Sequence, residues 1–452
     1  MLDQAGSAIA TGRQGNEAMS ELTEIQSFYK GKCIFITGGT GLMGKVLIEK
    51  LLYSCSDLDK IYVLARPKRG RDPHARVDEM FKLPMFQRVR KQKPQVMKKV
   101  IPLNGDISTK NLGLTEEQLE TLLNEVHVMF HFAATLRLES KLKSAIEMNT
   151  IGTRTVLEIA KRMKRLQTFV HLSTAFCYPD KEELDERVYD PPADPDDVMR
   201  LVEWMDETSL DLITPKLLDL HPNTYTYSKR LAEKLVADEY PNLPCTIARP
   251  SIVTPSWVEP LPGWVDNLNG PMGVLVGGGK GVIRSMHGNA NYHAEVIPLD
   301  LAINALIAIA QKTATGENMV RLQRRITVGL ELLQFFTTRE WIFHNTNVMI
   351  MWDEMSPKDK ELFPVDFLVV DLTEYIKNSI LGARQYCMKE DLSTLPKARR
   401  HQAVMYVVHI VSIYLFYFGI LYSIYNNFEV ARSSVHSIAE RMKALPILGK
   451  VV

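Results

Sequence analysis

Residues Cys33–Gly44 read CIFITGGTGLMG. Four apolar or β-branched residues run into Thr37-Gly38-Gly39-Thr40-Gly41, and a helical pattern follows with Leu42, Val46, Leu47, Leu51 and Leu52 at helix spacing. A strand, a glycine turn and a helix in that order predict a dinucleotide-binding unit. Gly38 permits the tight turn, Gly41 lets backbone approach a pyrophosphate, and Gly44 lets the helix pack on the strand. The first N–H groups of the helix then face the phosphates with a partial positive charge.

Outward from this loop the pattern repeats. Apolar runs recur at Ile61–Ala65, Val100–Leu103, Val126–Ala134, Thr168–Leu172 and Thr246–Ala248, with helical stretches between them, clearest at Ile146–Arg165 and Ser228–Asp238. Near-continuous apolar strands alternating with helices predict a doubly wound α/β domain, a parallel Rossmann-type sheet covered on both faces, over residues 31–300. Met1–Lys30 is polar, lacks an apolar signal core and reads as a flexible lead-in. Asp190–Asp197 and Gly277–Gly281 read as loops. Trp257 and Trp264 in Pro255–Pro271 read either as substrate contacts or as a small satellite core.

After residue 301 the sheet pattern stops. Leu301–Gln311, Leu322–Met351 and Asp371–Arg384 predict a smaller helical domain over 301–400. Ala403–Tyr425 follows, 23 residues without Asp, Glu, Lys or Arg. As a helix it would span about 34 Å, enough to cross a bilayer. Lys397, Arg399 and Arg400 precede it and predict a cytosolic N-terminal side. A tail, 426–452, remains.

Charge excludes one class of partner. With 54 Lys and Arg against 53 Asp and Glu, no global field draws the chain to nucleic acid. The five cysteines are scattered without a CxxC pair, so no metal site and no disulfide framework is expected. Neutral, mostly buried thiols in a reducing compartment are the natural reading.

The second strand selects the cofactor. An acidic residue about 20 positions beyond the glycine loop would bind a ribose 2′-hydroxyl. Here Arg66-Pro67-Lys68-Arg69 stands at that point, and Arg66 and Lys68 suit a 2′-phosphate, so NADPH is expected rather than NADH. Asp106, ending the third strand, is placed for the adenine; Ala133 and Ala134, after the fourth, are small enough to admit the ribose.

Tyr225 and Lys229 stand at i, i+4 in a YxxxK pattern and share a helix face. A tyrosine titrates near 10, and a neighbouring ammonium stabilises its phenolate for proton exchange. Ser173 and Thr174 end the fifth strand with hydroxyls suited to a carbonyl oxygen. Asn149, in the preceding helix, is placed to hold a water that relays a proton from Lys229.

In this order these motifs resemble an extended short-chain dehydrogenase/reductase. Phe28–Lys32, Glu49–Leu52, Arg66–Lys68, His131–Thr135, His171–Ala175, Asn223–Tyr225 and Phe336–Trp341 are similar to signatures of the alcohol-forming fatty acyl-CoA reductases, and the likeness covers residues 25–390. The resemblance implies NADPH-driven reduction of a long-chain acyl-CoA through an aldehyde to a fatty alcohol, with release of CoA. It also implies Thr37, Gly38, Gly39, Thr40, Gly41, Gly44, Ala133, Ala134 and Pro250 around the cofactor, and a membrane location at the endoplasmic reticulum or peroxisome. Two departures stand out. Leu42 occupies a position where phenylalanine is expected, and at Glu317–Met319 the chain passes to its C-terminal region without several tens of residues found in that family. Two other readings therefore stay open: a reductase of sterols or sugars, and an isoform lacking part of its acyl pocket.

Overall fold

The computed structural model describes residues 22–68, 70–289, 291–292, 294–315, 322–323, 342–366 and 369–443. The apolar runs form strands β1 (Cys33–Thr37), β2 (Lys60–Ala65), β3 (Val100–Asn104), β4 (Val126–His131) and β5 (Thr168–Leu172). After a two-residue β6 (Glu183–Leu184) comes β7 (Cys245–Arg249). The sheet order is β7-β5-β4-β1-β2-β3, every pair parallel. Strand order reverses between β1 and β4, and open α/β sheets bind ligands in the crevice at that switch.

Alternation along β1 builds two cores. Ile34 and Ile36 face one side with Val46, Leu47 and Leu51 of the helix Leu42–Ser54 and with Ile303, Leu306 and Ile307 of the helix Leu299–Thr315. Cys33 and Phe35 face the other, with Val156 and Leu157 of the helix Gly152–Arg162 and Leu235 and Val236 of the helix Thr224–Asp238. Each such aliphatic side chain contributes ~1.5–3 kcal/mol when removed from water, so both faces are strongly committed to their helices.

Several expected boundaries move. Residues 24–30 are not a loose lead-in: Glu24–Tyr29 is a helix with a Thr23–Gln26 capping box, Ile25 and Tyr29 are buried, and the Tyr29 hydroxyl donates to the Ile307 carbonyl. One helix runs across the expected boundary at 300–301. Leu299–Thr315 packs on the sheet as one of its covering helices, because Ile303, Leu306 and Ile307 need that apolar face. Leu322–Gln323 is not helical; as β10 it adds a seventh parallel strand beside β7, after β8 (Ile252–Thr254) and β9 (Val296–Pro298) pair separately. Ile342–Phe343, β11, pairs with β6. Leu330, Leu333, the stretch Phe336–Trp341 and the join at Glu317–Met319 lie outside the described residues. Asp194 caps a helix at Pro195–Trp204, which takes up the last three residues of the expected Asp190–Asp197 loop. Gly277–Gly279 close a helix begun at Pro271. Trp264 is buried in the main core, whereas Trp257 is partly buried.

The chain divides into two compact units, Met1–Met388 and Lys389–Val452. In the second, the helix Leu395–Asn427 contains the whole uncharged stretch and is long and apolar enough to cross a membrane. Its large apolar side chains, Tyr414 and Phe416 among them, are exposed.

Candidate active site

A cavity of about 560 Å³ opens at the switch point, walled by the glycine loop, the ends of β2 to β5 and the segment Val265–Met272. Gly38, Thr40, Gly41, Gly44, Arg66, Lys68, Asp106, Ala133, Ala134, Ser173, Tyr225, Lys229 and Pro250 all line it, bringing together most of the residues singled out from the sequence.

The loop fits a dinucleotide. A Cβ at Gly38, whose φ is +74°, would lie 2.7 Å from the Ala133 nitrogen, and one at Gly44 would lie 2.4 Å from the Gly38 carbonyl. Gly41 caps the helix Leu42–Ser54 without any side-chain hydrogen bond, leaving its first N–H groups for an anion. Thr37 and Gly39 do not line the cavity. Thr37 Oγ1 accepts from the Ala133 N–H at 3.2 Å and bonds His131 Nδ1 at 2.7 Å; a Cβ at Gly39 would meet Val63 Cγ1 at 2.8 Å. Both serve the loop from beneath.

Beside the ends of β2 and β3, Arg66 Nη1 donates to Asp106 Oδ2 at 3.1 Å; burial, the largest single effect, raises the Asp106 carboxyl, and the hydrogen bonds of Ser108 together with Arg66 outweigh it and hold the group below the usual carboxylate range. Lys68 is exposed. A third cation escaped the sequence reading. Arg76, 36 positions from the loop, donates from Nη2 to Thr40 Oγ1 and from Nη1 to the Arg66 carbonyl, both at 2.6 Å, and lines the cavity. It sits in the first turn of the helix Pro73–Lys82, and only the Asp72 cap and Pro73 mark that helix start in the sequence.

Asn223 caps the helix bearing Tyr225, its Oδ1 accepting from the Thr226 N–H at 2.9 Å. The helix therefore begins at Thr224 rather than Ser228, and Tyr225 falls in its first turn, where the dipole favours negative charge. Tyr225 is nearly buried, and burial pushes its phenol above the ordinary value. A hydrogen bond with Thr174 acts the other way. Lys229 is 3% exposed, donates to the Leu172 carbonyl at 2.8 Å, and is pushed down to about 8 by burial, with Glu233 opposing. The expected lowering of Tyr225 by Lys229 does not appear: burial raises Tyr225 and lowers Lys229. Ser173 lines the cavity, with its hydroxyl 4.0 Å from Cys177 Sγ and near Glu233; Thr174 does not line it, accepts from the Phe176 N–H at 3.3 Å and lies beside Tyr225.

Asn149 is fully engaged. Its Oδ1 accepts from the Thr135 N–H at 2.8 Å, and Nδ2 donates to Ser228 Oγ at 2.9 Å and to the Thr135 carbonyl at 3.2 Å. It lies in a π-helical turn, Glu147–Ile151, and its side chain pins the turn after β4 rather than standing free for a water. No disulfide joins the five cysteines, four of which are buried.

Comparisons with known proteins agree with this geometry. A family model described as "Male sterility protein" matches residues 36–306, and a second with that description matches 295–390. Fatty acyl-CoA reductase 1 of Mus musculus is 33% identical over 459 residues, covering 84% of this chain and 89% of the relative; the Homo sapiens protein is 32% identical over the same span. Fatty acyl-CoA reductase 2 of Bos taurus is 32% identical over 467 residues, 86% of this chain and 91% of the relative. Since 84% of 452 residues is about 380, about 80 of the 459 aligned positions have no counterpart here. Among solved structures, the terminal R domain from the myxalamid PKS-NRPS biosynthetic pathway superposes with a TM-score of 0.58 at 19% identity, covering 80% of this chain and 93% of that one, a likeness of fold. The parallel sheet, the glycine cradle at its switch point and these matches together place the chain in the fatty acyl-CoA reductase family of nicotinamide-dependent oxidoreductases.

Proposed function

We propose that the protein reduces long-chain fatty acyl-CoA to fatty alcohol with NADPH, releasing CoA and passing through an aldehyde. The observation that carries this reading is the meeting of Tyr225, Ser173 and buried Lys229 at a cavity that also holds the glycine cradle, with Thr174 behind Tyr225. Two molecules of reduced nicotinamide cofactor would each supply one hydride, the first to the thioester and the second to the aldehyde. Tyr225 and Ser173 would hydrogen-bond the carbonyl oxygen and stabilise the negative charge that grows on it. Collapse of the first adduct breaks the C–S bond and expels CoA as a thiolate; in the second reduction the alkoxide takes its proton from Tyr225. Lys229, pushed down to about 8 by burial, would restore that proton. Asn149 would keep the β4 turn and Ser228 in register beneath them.

Arg66, Arg76 and Lys68 favour NADPH over NADH, because three cations ring the adenosine end of the cavity. The helix Leu395–Asn427 would anchor the protein in the membrane of the endoplasmic reticulum or peroxisome with residues before Leu395 in the cytosol, where acyl-CoA is met. The missing positions would fall at Glu317–Met319 and shorten the acyl pocket. The test supplies a membrane fraction with NADPH and acyl-CoAs of graded length, and alcohol is measured by mass spectrometry. Alcohol from the wild type and none from Tyr225→Phe is expected; equal alcohol from both would overturn the reading.

A further inference from the structure

Glu233 lies one turn beyond Lys229 on the same helix face, with no exposed surface. Its carboxylate collects donors from three elements. Arg249, ending β7, donates from Nε at 2.9 and 3.1 Å and from Nη2 at 2.6 Å. The Tyr178 hydroxyl donates at 2.6 Å, the Cys177 thiol lies at 3.2 Å, and Ser173 adds its hydroxyl. The same thiol lies 2.9 Å from the Thr174 carbonyl, and Arg249 Nη2 also reaches the Tyr178 oxygen at 3.0 Å. Cys177 and Tyr178 of the turn Ser173–Tyr178 thus converge on one ion pair.

Stability alone does not explain such a pair. A buried ion pair can usually be replaced by apolar residues of like volume without loss. The turn it holds has only a three-residue 3-10 helix, Ala175–Cys177, of its own. We propose that the Glu233–Arg249 pair is the positioning device of the reductase site: it fixes the Ser173–Tyr178 turn so that Thr174 meets Tyr225, and it places a carboxylate one turn from the Lys229 ammonium. The inference rests on the reading of Tyr225, Ser173 and Lys229 as the catalytic group.

The groups facing Lys229 are His131 and His171 from β4 and β5, both kept neutral by burial, Cys177 from the turn, and Tyr225 and Glu233 from its own helix. Glu233 faces Arg249, Ser173, Cys177 and Tyr178; the Arg230–Asp180 pair stacks on the outer side of the Tyr178 ring. Among these the carboxylate is the one ionised acid beside the ammonium, so its charge favours the protonated amine.

Three full-length variants in membranes test this: Glu233→Gln, which keeps shape and loses charge; Tyr178→Phe, which keeps the charges and loses one tether; and Tyr225→Phe. For Glu233→Gln, kcat falls about tenfold or more, KM for NADPH is nearly unchanged, and the alkaline limb of the pH–rate profile moves to lower pH. For Tyr178→Phe, kcat falls several-fold with the limb unmoved. A folded Glu233→Gln enzyme with wild-type kcat and pH limb, beside an inactive Tyr225→Phe, overturns the inference and leaves the catalytic reading standing. Full activity of Tyr225→Phe instead sinks that reading. Should Glu233→Gln not fold, unchanged kcat in Tyr178→Phe overturns the positioning role.

Discussion

The Lys229 ammonium donates to the main-chain carbonyl of Leu172 at 2.8 Å, so the last peptide of β5 holds the amine that stands one turn from Tyr225. Strand and helix are thereby joined at the point where the cavity closes. Burial pushes the amine down to about 8. Its protonated form is complete below that value and is lost as pH rises through it. Turnover is therefore expected to fall along an alkaline limb near pH 8, well below the ordinary lysine range, in a kcat profile with saturating NADPH. A limb above about pH 10, where a free lysine titrates, would contradict the buried environment.

Tyr225→Phe removes the proposed proton donor and keeps the ring. A drop of about 10²- to 10⁴-fold in kcat is expected, the usual contribution of a positioned acid–base group. NADPH affinity should hold, because the glycine loop and the arginines are untouched. Titration of cofactor fluorescence beside steady-state kinetics separates the two.

Arg76→Ala should weaken NADPH about tenfold, ~1.4 kcal/mol, and leave NADH binding nearly unchanged. Its guanidinium is fixed between Thr40 and the Arg66 carbonyl, so it is ordered in advance. Arg66→Ala should act in the same direction and less, since Arg66 is tied to Asp106. Equal losses for both cofactors would sink the 2′-phosphate assignment.

Gly44→Ala places a methyl 2.4 Å from the Gly38 carbonyl and 2.5 Å from Gly39 Cα. Neither is a flexible side-chain end, so loop or helix must shift. Loss of cofactor binding is expected, with a Tm drop in scanning calorimetry. Gly70→Ala, where nothing lies within 4 Å, isolates the strain of its φ of +74°, which should cost only ~1 kcal/mol.

Asp300 is buried and accepts from the Trp257, Val258 and Glu259 N–H groups at 2.8 to 3.0 Å. It pins the segment running toward the cavity wall at Val265. Asp300→Ala leaves three donors unpaired at ~1–3 kcal/mol each, so a loss of several kcal/mol is expected in denaturant unfolding of the solubilised protein. A change under about 1 kcal/mol would mean that the segment finds other acceptors.

Much of this was legible in the residues themselves. The apolar runs became the strands because two-sided burial demands continuous apolar sequence, and the glycine turn identified the switch point before the sheet order was known. Tyr225 and Lys229 share a face because four residues make about one helical turn. Reading weakened wherever a helix packs by tertiary contact, as at Glu24–Tyr29, and where two residues join a sheet edge, as at Leu322–Gln323. Neither segment is long enough to carry a period.

By itself the sequence determined the dinucleotide cradle, the candidate dyad and an apolar segment long enough to span a bilayer, since each is written within about 25 consecutive residues as spacing or composition, and it determined the family by the order of signatures along the chain. Only the tertiary structure decided that Arg76 reaches Thr40, that Ser173 turns to Glu233 while Thr174 meets Tyr225, and that Asn149 is spent on the β4 turn. These partners are brought together by sheet order and helix packing across 14 to 60 positions of chain. No local period encodes such contacts; they exist once the β1 and β4 ends stand side by side and the buried polar groups there must find donors and acceptors.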